Sequence, residues 1–338
     1  MKAALFYGPG DLRIEEIGKP HLGPDDILLN IKQVGICGTD IHIYKGDVAV
    51  PKPLIMGHEF VGDVVHIGIN VRNLKVGDKA VADHIIGCGN CFYCKKGQTN
   101  LCSNRGALGI NLPGALAEYL SVPSHLVYVL PKSLTYDDGV LVEPLSIAVY
   151  ALSKADIIKG QTVAIIGQGA IGILLDQVAK ESVAKVIGID IEKSRLNYAK
   201  QRNYIDFALN SSEKITPETI KNLISRDGVD IVIEAVGLGS TARLSLELAS
   251  KGGRIILLGV FSQEVSLDMM QIVKKELEIF GSWTCHNTFS QAIKLLQERK
   301  IETDGFITHR YPLEKVKQAF EDMIKFPSGR IKTIIQID

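Results

Sequence analysis

This chain has no surplus charge of either sign, no long apolar run, no internal repeat and no low-complexity segment. Lysine plus arginine number 38 and aspartate plus glutamate 38, so the formal net charge is zero. A nucleic-acid-binding surface needs a basic surplus, and a solvated disordered tail is marked by a block of like charge. Neither is present, so nucleic acid is not an expected partner. No apolar stretch reaches the about 18 residues of a membrane span, so no membrane association is expected. The leading run Met1–Tyr7 has one lysine and a short apolar run, well below a signal-peptide core, and a cytoplasmic location is expected. What remains is ordinary globular composition, 46% hydrophobic and 22% charged over 338 residues, enough for two domains.

The rhythm of the sequence changes near its middle. Up to about residue 135, short apolar runs such as Ile27–Val34 and Phe60–Ile67 are broken every ten or so residues by Gly, Pro, Asn or Asp, which suits a β-rich, partly closed barrel or sandwich. From Thr162, strand-like runs (Val163–Ile166, Val186–Ile189, Ile231–Ile233, Ile255–Leu258, Leu277–Phe280) alternate with helical stretches such as Ala170–Glu181 and Ser240–Lys251. Continuous apolar strands alternating with helices indicate a parallel sheet covered on both faces, hence an α/β protein with a doubly wound domain. After Trp283 come two amphipathic stretches, Phe289–Arg299 and Leu313–Lys325, and a last strand-like run, Ile331–Ile337. A six-stranded sheet has no room for them, so the chain is expected to return to its first domain. A long apolar helix over Tyr136–Ala155 is expected to lead out, and the Phe289 helix to lead back.

The second domain opens on a nucleotide signature. Val163–Ile166 runs into Gly167-Gln168-Gly169-Ala170-Ile171-Gly172 and then a helical stretch, with Asp190 ending the next strand 18 residues beyond Gly172. The first glycine makes a tight turn, the second admits a pyrophosphate, and the third lets helix and strand pack. The phosphates then meet a helix N-terminus. Asp190 is placed to bind ribose hydroxyls and to repel a 2′-phosphate, and Ile191 offers no compensating charge, so NAD is expected over NADP.

Four of the six cysteines, Cys88, Cys91, Cys94 and Cys102, lie in one loop. In a cytosolic-looking chain such a cluster indicates metal rather than disulfides. Four thiolates close a tetrahedral zinc shell and leave no place for substrate, so this reads as a structural zinc; an iron–sulfur cluster is the competing use of the same ligands. Cys37, His58, Glu59 and Glu143 remain as a sulfur, nitrogen and oxygen set. Singly, each has an ordinary explanation: a small buried thiol, a loop histidine, or, for Glu143-Pro144, a helix start.

Together these segments resemble the zinc-dependent medium-chain dehydrogenases, over essentially the whole chain. The likeness is carried by Gly35-Ile36-Cys37-Gly38-Thr39-Asp40-Ile41-His42, Gly57-His58-Glu59, Gly77-Asp78-Lys79, the four-cysteine loop, Val142-Glu143-Pro144-Leu145 and the glycine turn. It implies a GroES-like catalytic domain (1–148 and 288–338) interrupted by a Rossmann domain (149–287). It implies two zinc ions per subunit: a catalytic one held by Cys37, His58, Glu59 and, directly or through water, Glu143, and the structural one. It implies a proton relay from the substrate through Thr39 and the nicotinamide ribose to His42, where a neutral imidazole suits proton export near pH 7. Around the cofactor it implies Arg195 beside adenine, Lys332 near the pyrophosphate, and Gly259-Val260 and Ser282-Trp283 near the nicotinamide. Relatives form dimers or tetramers, and a homotetramer is expected.

Glu143 stands where liver-type alcohol dehydrogenases carry a cysteine, which resembles the sorbitol (polyol) and L-threonine dehydrogenase branch. The segments Glu143–Ser146 and Gly281–Thr284 look like polyol and sugar-acid dehydrogenases. Ala107–Gly114 and Cys37–Tyr44 look like threonine dehydrogenases, which also carry a histidine before the cysteine loop. His84 matches it in position, although Gly87 adds a residue between them. The expected substrate is a small-molecule secondary alcohol on a polyol or sugar acid, with L-threonine second. A zinc-free quinone reductase would lack the Cys37/His58/Glu143 set. A non-enzymatic NAD-binding sensor would have no use for Thr39 and His42.

Overall fold

Frequent glycine and proline keep the strands of the first third short, and the sheets they form depend on pairing across long sequence separations. The structure is a computed structural model that describes residues 1–182, 184–325 and 328–337. It divides into two units, residues 1–146 with 286–338, and residues 147–285. Both crossovers fall two residues before the positions expected from the sequence.

In the first unit a seven-stranded sheet is built around Asp26–Ile36. This strand pairs antiparallel with Glu59–Ile67, with Tyr119–Pro123 and with the last strand of the chain, Lys332–Gln336. Its burial pattern is nearly continuous, because Ile27, Leu29, Ile31 and Val34 pack into one core with Phe60, Leu116, Phe320 and Ile335. The amphipathic stretch expected over Leu313–Lys325 is a short 3₁₀ turn, Leu313–Lys315, followed by a helix, Val316–Lys325, which buries Val316, Ala319 and Phe320 at helical spacing.

In the second unit six parallel strands lie in the order Phe207–Asn210, Lys185–Asp190, Thr162–Ile166, Val229–Glu234, Ala249–Leu257, Glu278–Gly281. In chain order that is 3-2-1-4-5-6, the arrangement of a dinucleotide-binding sheet. Its switch point falls beside Thr162–Ile166, and ligands of such sheets bind outside the strands' carboxyl ends. The edge strand Phe207–Asn210 has no counterpart among the sequence runs; it is short and only partly buried.

The long helix expected over Tyr136–Ala155 is broken. Residues Tyr136–Gly139 form one turn, capped at Thr135 by Asp138, and a new helix runs from Val142 to Ser153. Pro144 explains the restart: it lacks an N–H and is tolerated in the first turn of a helix but not in its interior.

Candidate active site

The sheet register assembles the metal set. Gly35 faces Glu59 across one ladder and Ile334 across the other. Cys37 follows the first strand, His58 precedes the second, and Lys332 begins the third. All three ends therefore meet. The ligand atoms of Cys37, His58 and Glu59 lie within 4.8 Å of one another. Glu143, in the first turn of its helix, is 3% exposed, and neither of its carboxylate oxygens has a hydrogen-bond partner among the described residues. Buried polar atoms are rarely left unpaired, and orphaned carboxylate oxygens against His84, with His58 and Glu59 acting on them by charge, fit a divalent cation.

Electrostatics agree. Burial, reinforced by the neighbouring Glu59 carboxylate, pushes Glu143 up to about 8, so without a metal charge this site resists holding its own carboxylates. Burial works against a charged His58, but Asp40, by charge and hydrogen bond, and then Cys37 raise it well above the ordinary histidine value. Asp40 was not singled out in the sequence. It sits at the third position of the helix Gly38–Lys45, accepts a hydrogen bond from the Cys37 amide (2.9 Å), and brings Oδ1 to 3.5 Å from His58 Nδ1. A carboxylate behind the ring orients the imidazole and leaves Nε2 for a metal. The spacing Cys37-x-x-Asp40, an acid returning to the amide three residues before it, was the available signal.

Lys332, expected near a pyrophosphate, is 2% exposed, and its ammonium hydrogen-bonds to Glu59 and to the Ile36 carbonyl. Burial opposes its charge, while Glu59 and Cys37 raise its pKa above the ordinary lysine value. It is a counter-ion of the metal set. Gly35 makes room for the pair: a Cβ there would meet the Glu59 carboxylate and lie 2.7 Å from Lys332 Cε. His84 is also in the site. Its ring packs 5.1 Å from that of His58, its Nδ1 is 3.4 Å from Glu143 Oε1, and burial, then the charges of His58 and Arg105, hold it well below the usual histidine pKa.

Thr39 and His42 are three residues apart on the helix Gly38–Lys45, hence on one face. The Thr39 hydroxyl lies 3.8 Å from Cys37 Sγ. His42 is 38% exposed, with Nδ1 3.0 Å from Asp47 Oδ2. The order is thus a hydroxyl beside the metal ligand and an imidazole open to water. Asp47, which fixes that ring, was not apparent from the sequence.

In the four-cysteine loop the ligand sulfurs of Cys88, Cys91, Cys94 and Cys102 again lie within 4.8 Å of one another, and none of the chain's six cysteines forms a disulfide. Amides of Cys88 and Cys94 donate to the sulfurs of Cys102 (3.3 Å) and Cys91 (3.4 Å). The Cys94 amide is the main reason that the Cys91 thiol falls to about 6. Donors aimed at sulfur stabilise thiolates, the form that binds metal.

In the second unit Gly167 has φ +99° and Gly172 has no space for a Cβ against the Gly167 carbonyl. Ala170 and Ile171 open the helix Ala170–Glu181, and Gly169 caps it. Asp190 ends its strand at this turn. Its carboxylate accepts from the amides of Gln168 (2.5 Å) and Glu192 (2.7 Å), with Arg195 Nη1 3.8 Å away. Val260, just past the strand Ala249–Leu257, is exposed, and Trp283 follows the strand Glu278–Gly281.

A dinucleotide sheet together with a thiolate, imidazole and carboxylate metal set defines a metal-dependent oxidoreductase. Comparison with known proteins makes this specific. Residues 23–132 match the alcohol dehydrogenase GroES-like domain, and residues 170–298 match the zinc-binding dehydrogenase domain. A sorbitol dehydrogenase of Bombyx mori is 34% identical over 94% of this chain and 94% of its own length. An L-threonine 3-dehydrogenase of Idiomarina loihiensis is 33% identical over 97% of each. Among solved structures, a putative zinc-binding dehydrogenase from Sinorhizobium meliloti, bound to NADP, superposes with TM-score 0.93 at 32% identity, over 99% of this chain and 98% of that one. The chain belongs to the zinc-dependent medium-chain alcohol dehydrogenase family. It is an oxidoreductase, and the sensor reading is set aside. Among the described residues no helix is long and apolar enough to cross a membrane.

Proposed function

We propose that this enzyme oxidises a secondary alcohol on a polyol or sugar acid with NAD, using a catalytic zinc held by Cys37, His58 and Glu59 and, directly or through water, Glu143, and a structural zinc held by Cys88, Cys91, Cys94 and Cys102. The observation that carries the reading is the convergence of Cys37, His58 and Glu59. The orphaned Glu143 carboxylate lies against His84, which packs on His58, and adds an oxygen donor in a branch whose relatives include sorbitol dehydrogenases. Zinc there supplies a Lewis acid that lowers the pKa of a substrate hydroxyl. Cys37, His58 and Glu59, with Glu143, would hold that ion, which would accept the substrate oxygen. Thr39 is placed to take its proton, and His42, steadied by Asp47, passes the proton to water.

NAD is favoured by Asp190, whose carboxylate is anchored by two amides and faces no basic residue at position 191. Asp190→Ala combined with Ile191→Arg is expected to shift the NAD/NADP ratio of kcat/KM toward NADP by about tenfold or more, since a charged hydrogen bond is worth about 1.5–3 kcal/mol. An unchanged ratio in parallel steady-state assays would count against Asp190 as the cofactor discriminator.

A second reading, L-threonine 3-dehydrogenase, is favoured by His84, which sits in the site against His58 and Glu143. Initial rates with polyols, aldonates and L-threonine separate the two. An NAD-linked, chelator-sensitive rate on a polyol or aldonate supports the first, and a rate on threonine alone supports the second. An oxygen-containing shell also releases zinc more readily than four thiolates. A chelator should therefore abolish activity while about half the zinc stays bound, and equal loss of both ions would contradict the assignment of two unlike sites.

The enzyme is further proposed to be a homotetramer. The outer strand Glu278–Gly281 and the exposed Met269, Met270 and Val273 of the helix Met269–Lys275 support self-association. Light scattering would give the mass.

A further inference from the structure

Beneath the glycine turn lies a polar pair for which the reaction has no use. Gln168, between Gly167 and Gly169, turns its side chain inward and is fully buried, as is Asp176, two helical turns further on. Gln168 Nε2 donates to Asp176 Oδ1 at 3.2 Å. The other two polar atoms of these groups, Gln168 Oε1 and Asp176 Oδ2, have no hydrogen-bond partner among the described residues. Space has been left for the arrangement. Gly188, on the neighbouring strand Lys185–Asp190, is where a Cβ would sit 3.0 Å from Gln168 Cδ.

The two orphans are both acceptors, and they belong to groups that already share one hydrogen bond. A carboxylate facing an amide carbonyl leaves both unsatisfied, at a cost of about 1–3 kcal/mol each. One proton resolves this. A carboxylic acid and a primary amide are complementary, each with one donor and one acceptor, and they close an eight-membered ring. We infer that a proton shared between Asp176 Oδ2 and Gln168 Oε1 closes such a ring, and that Asp176 is thereby a positioning residue for the dinucleotide turn. The consequence reaches the cofactor because the backbone N–H of Gln168 is one of the two donors that anchor Asp190. One residue thus ties the buried pair to the turn and to the ribose-binding carboxylate.

The surroundings allow the proton to stay. The helix Ala170–Glu181 packs on the strand Thr162–Ile166, which has no ionisable residue, and on Lys185–Asp190, whose ionisable residues are at its two ends. On the helix itself, Lys180 is engaged by Asp206. Burial, opposed only by the Gln168 amide, holds Asp176 well above the usual carboxylate range. The sign follows. Cofactor affinity is full while Asp176 is protonated and falls as pH rises through its folded-state pKa, by up to about tenfold per pH unit beyond it.

This inference rests on reading residues 167–172 as the cofactor turn, and the experiment separates the two. NADH binding to the full-length, zinc-loaded enzyme is followed by fluorescence from about pH 7 to about pH 10 for wild type and Asp176→Asn, whose amide keeps a donor and an acceptor opposite Gln168. Asp176→Asn is expected to match wild type at pH 7 within about threefold, and the loss of affinity that wild type shows as pH rises is expected to be absent from Asp176→Asn. Asp176→Leu, of similar size but without hydrogen bonds, is expected to bind about tenfold more weakly already at pH 7. Thermal melts show whether that variant is folded; if it is not, wild type against Asp176→Asn decides alone. Parallel loss of affinity in wild type and Asp176→Asn overturns the inference. Absence of NADH binding by wild type at pH 7 overturns the cofactor turn itself.

Discussion

Cys37→Ser is expected to lower turnover by about a thousandfold or more while the affinity for NADH stays within about threefold. A Lewis acid contributes several kcal/mol of transition-state stabilisation, and each 1.36 kcal/mol is a factor of ten. Serine keeps the size of the side chain but is not ionised near neutral pH, so the set keeps His58, Glu59 and Glu143 and loses its only sulfur ligand. The glycine turn belongs to the other unit of the chain, and the substitution leaves its residues in place. Three readings check this: kcat, zinc per subunit, which should fall from about two to about one because the four-cysteine loop is unaltered, and an NADH titration. Unchanged turnover would sink the assignment of Cys37 to the metal. Loss of NADH binding in step with turnover would instead point to general misfolding.

The second large effect concerns stability. Lys332→Met should destabilise the metal-free protein by about 3–5 kcal/mol, the usual result of removing one partner from a buried ion pair. Glu59, 1% exposed, would lose the ammonium that pairs with it. The melting temperature should fall by on the order of 10 °C for a protein of this size. Zinc should restore much of the loss, because a divalent ion offers Glu59 another partner. The control is Glu59→Gln with Lys332→Met. Removing both charges should recover part of the loss, giving a coupling energy above about 1 kcal/mol. Additive losses would mean that the two side chains do not act as a pair.

The sequence makes the repeating and the local parts of this molecule legible. The strand–helix alternation indicates the parallel sheet, because buried strands must be continuously apolar. The glycine turn and the four-cysteine loop are each complete within one short segment, so spacing alone assembles them. What escapes depends on register. Lys332 lies 273 residues from Glu59, and nothing in its neighbours shows that antiparallel pairing brings it beneath the metal set rather than toward a phosphate. Asp40 and Asp47 are ordinary helix-end acids until the fold turns one toward His58 and the other toward His42. Phe207–Asn210 is missed as a strand because an edge position asks little burial of it. The helix Tyr136–Ala155 is over-extended because its apolar pattern continues across Pro144, and only backbone sterics stop it there.

The catalytic sheet is completed by its last strand, and this orders events as the chain leaves the ribosome. Asp26–Ile36 and Glu59–Ile67 emerge early, but Lys332–Gln336, which lies between Asp26–Ile36 and Ile307–Pro312, is made long after them. At about 5–20 residues per second, the 273 residues between Glu59 and Lys332 take roughly 15–55 s to synthesise. During that interval the nucleotide-binding unit has its whole sequence available, while the metal set waits for its counter-ion and the Gln33–Ile36 end of the central strand stands unpaired on the side that Lys332–Gln336 will take. The nucleotide-binding unit is therefore complete in sequence before the metal set has its counter-ion, so loss of Lys332–Gln336 would strip that counter-ion and the pairing of Gln33–Ile36 without touching the cofactor turn.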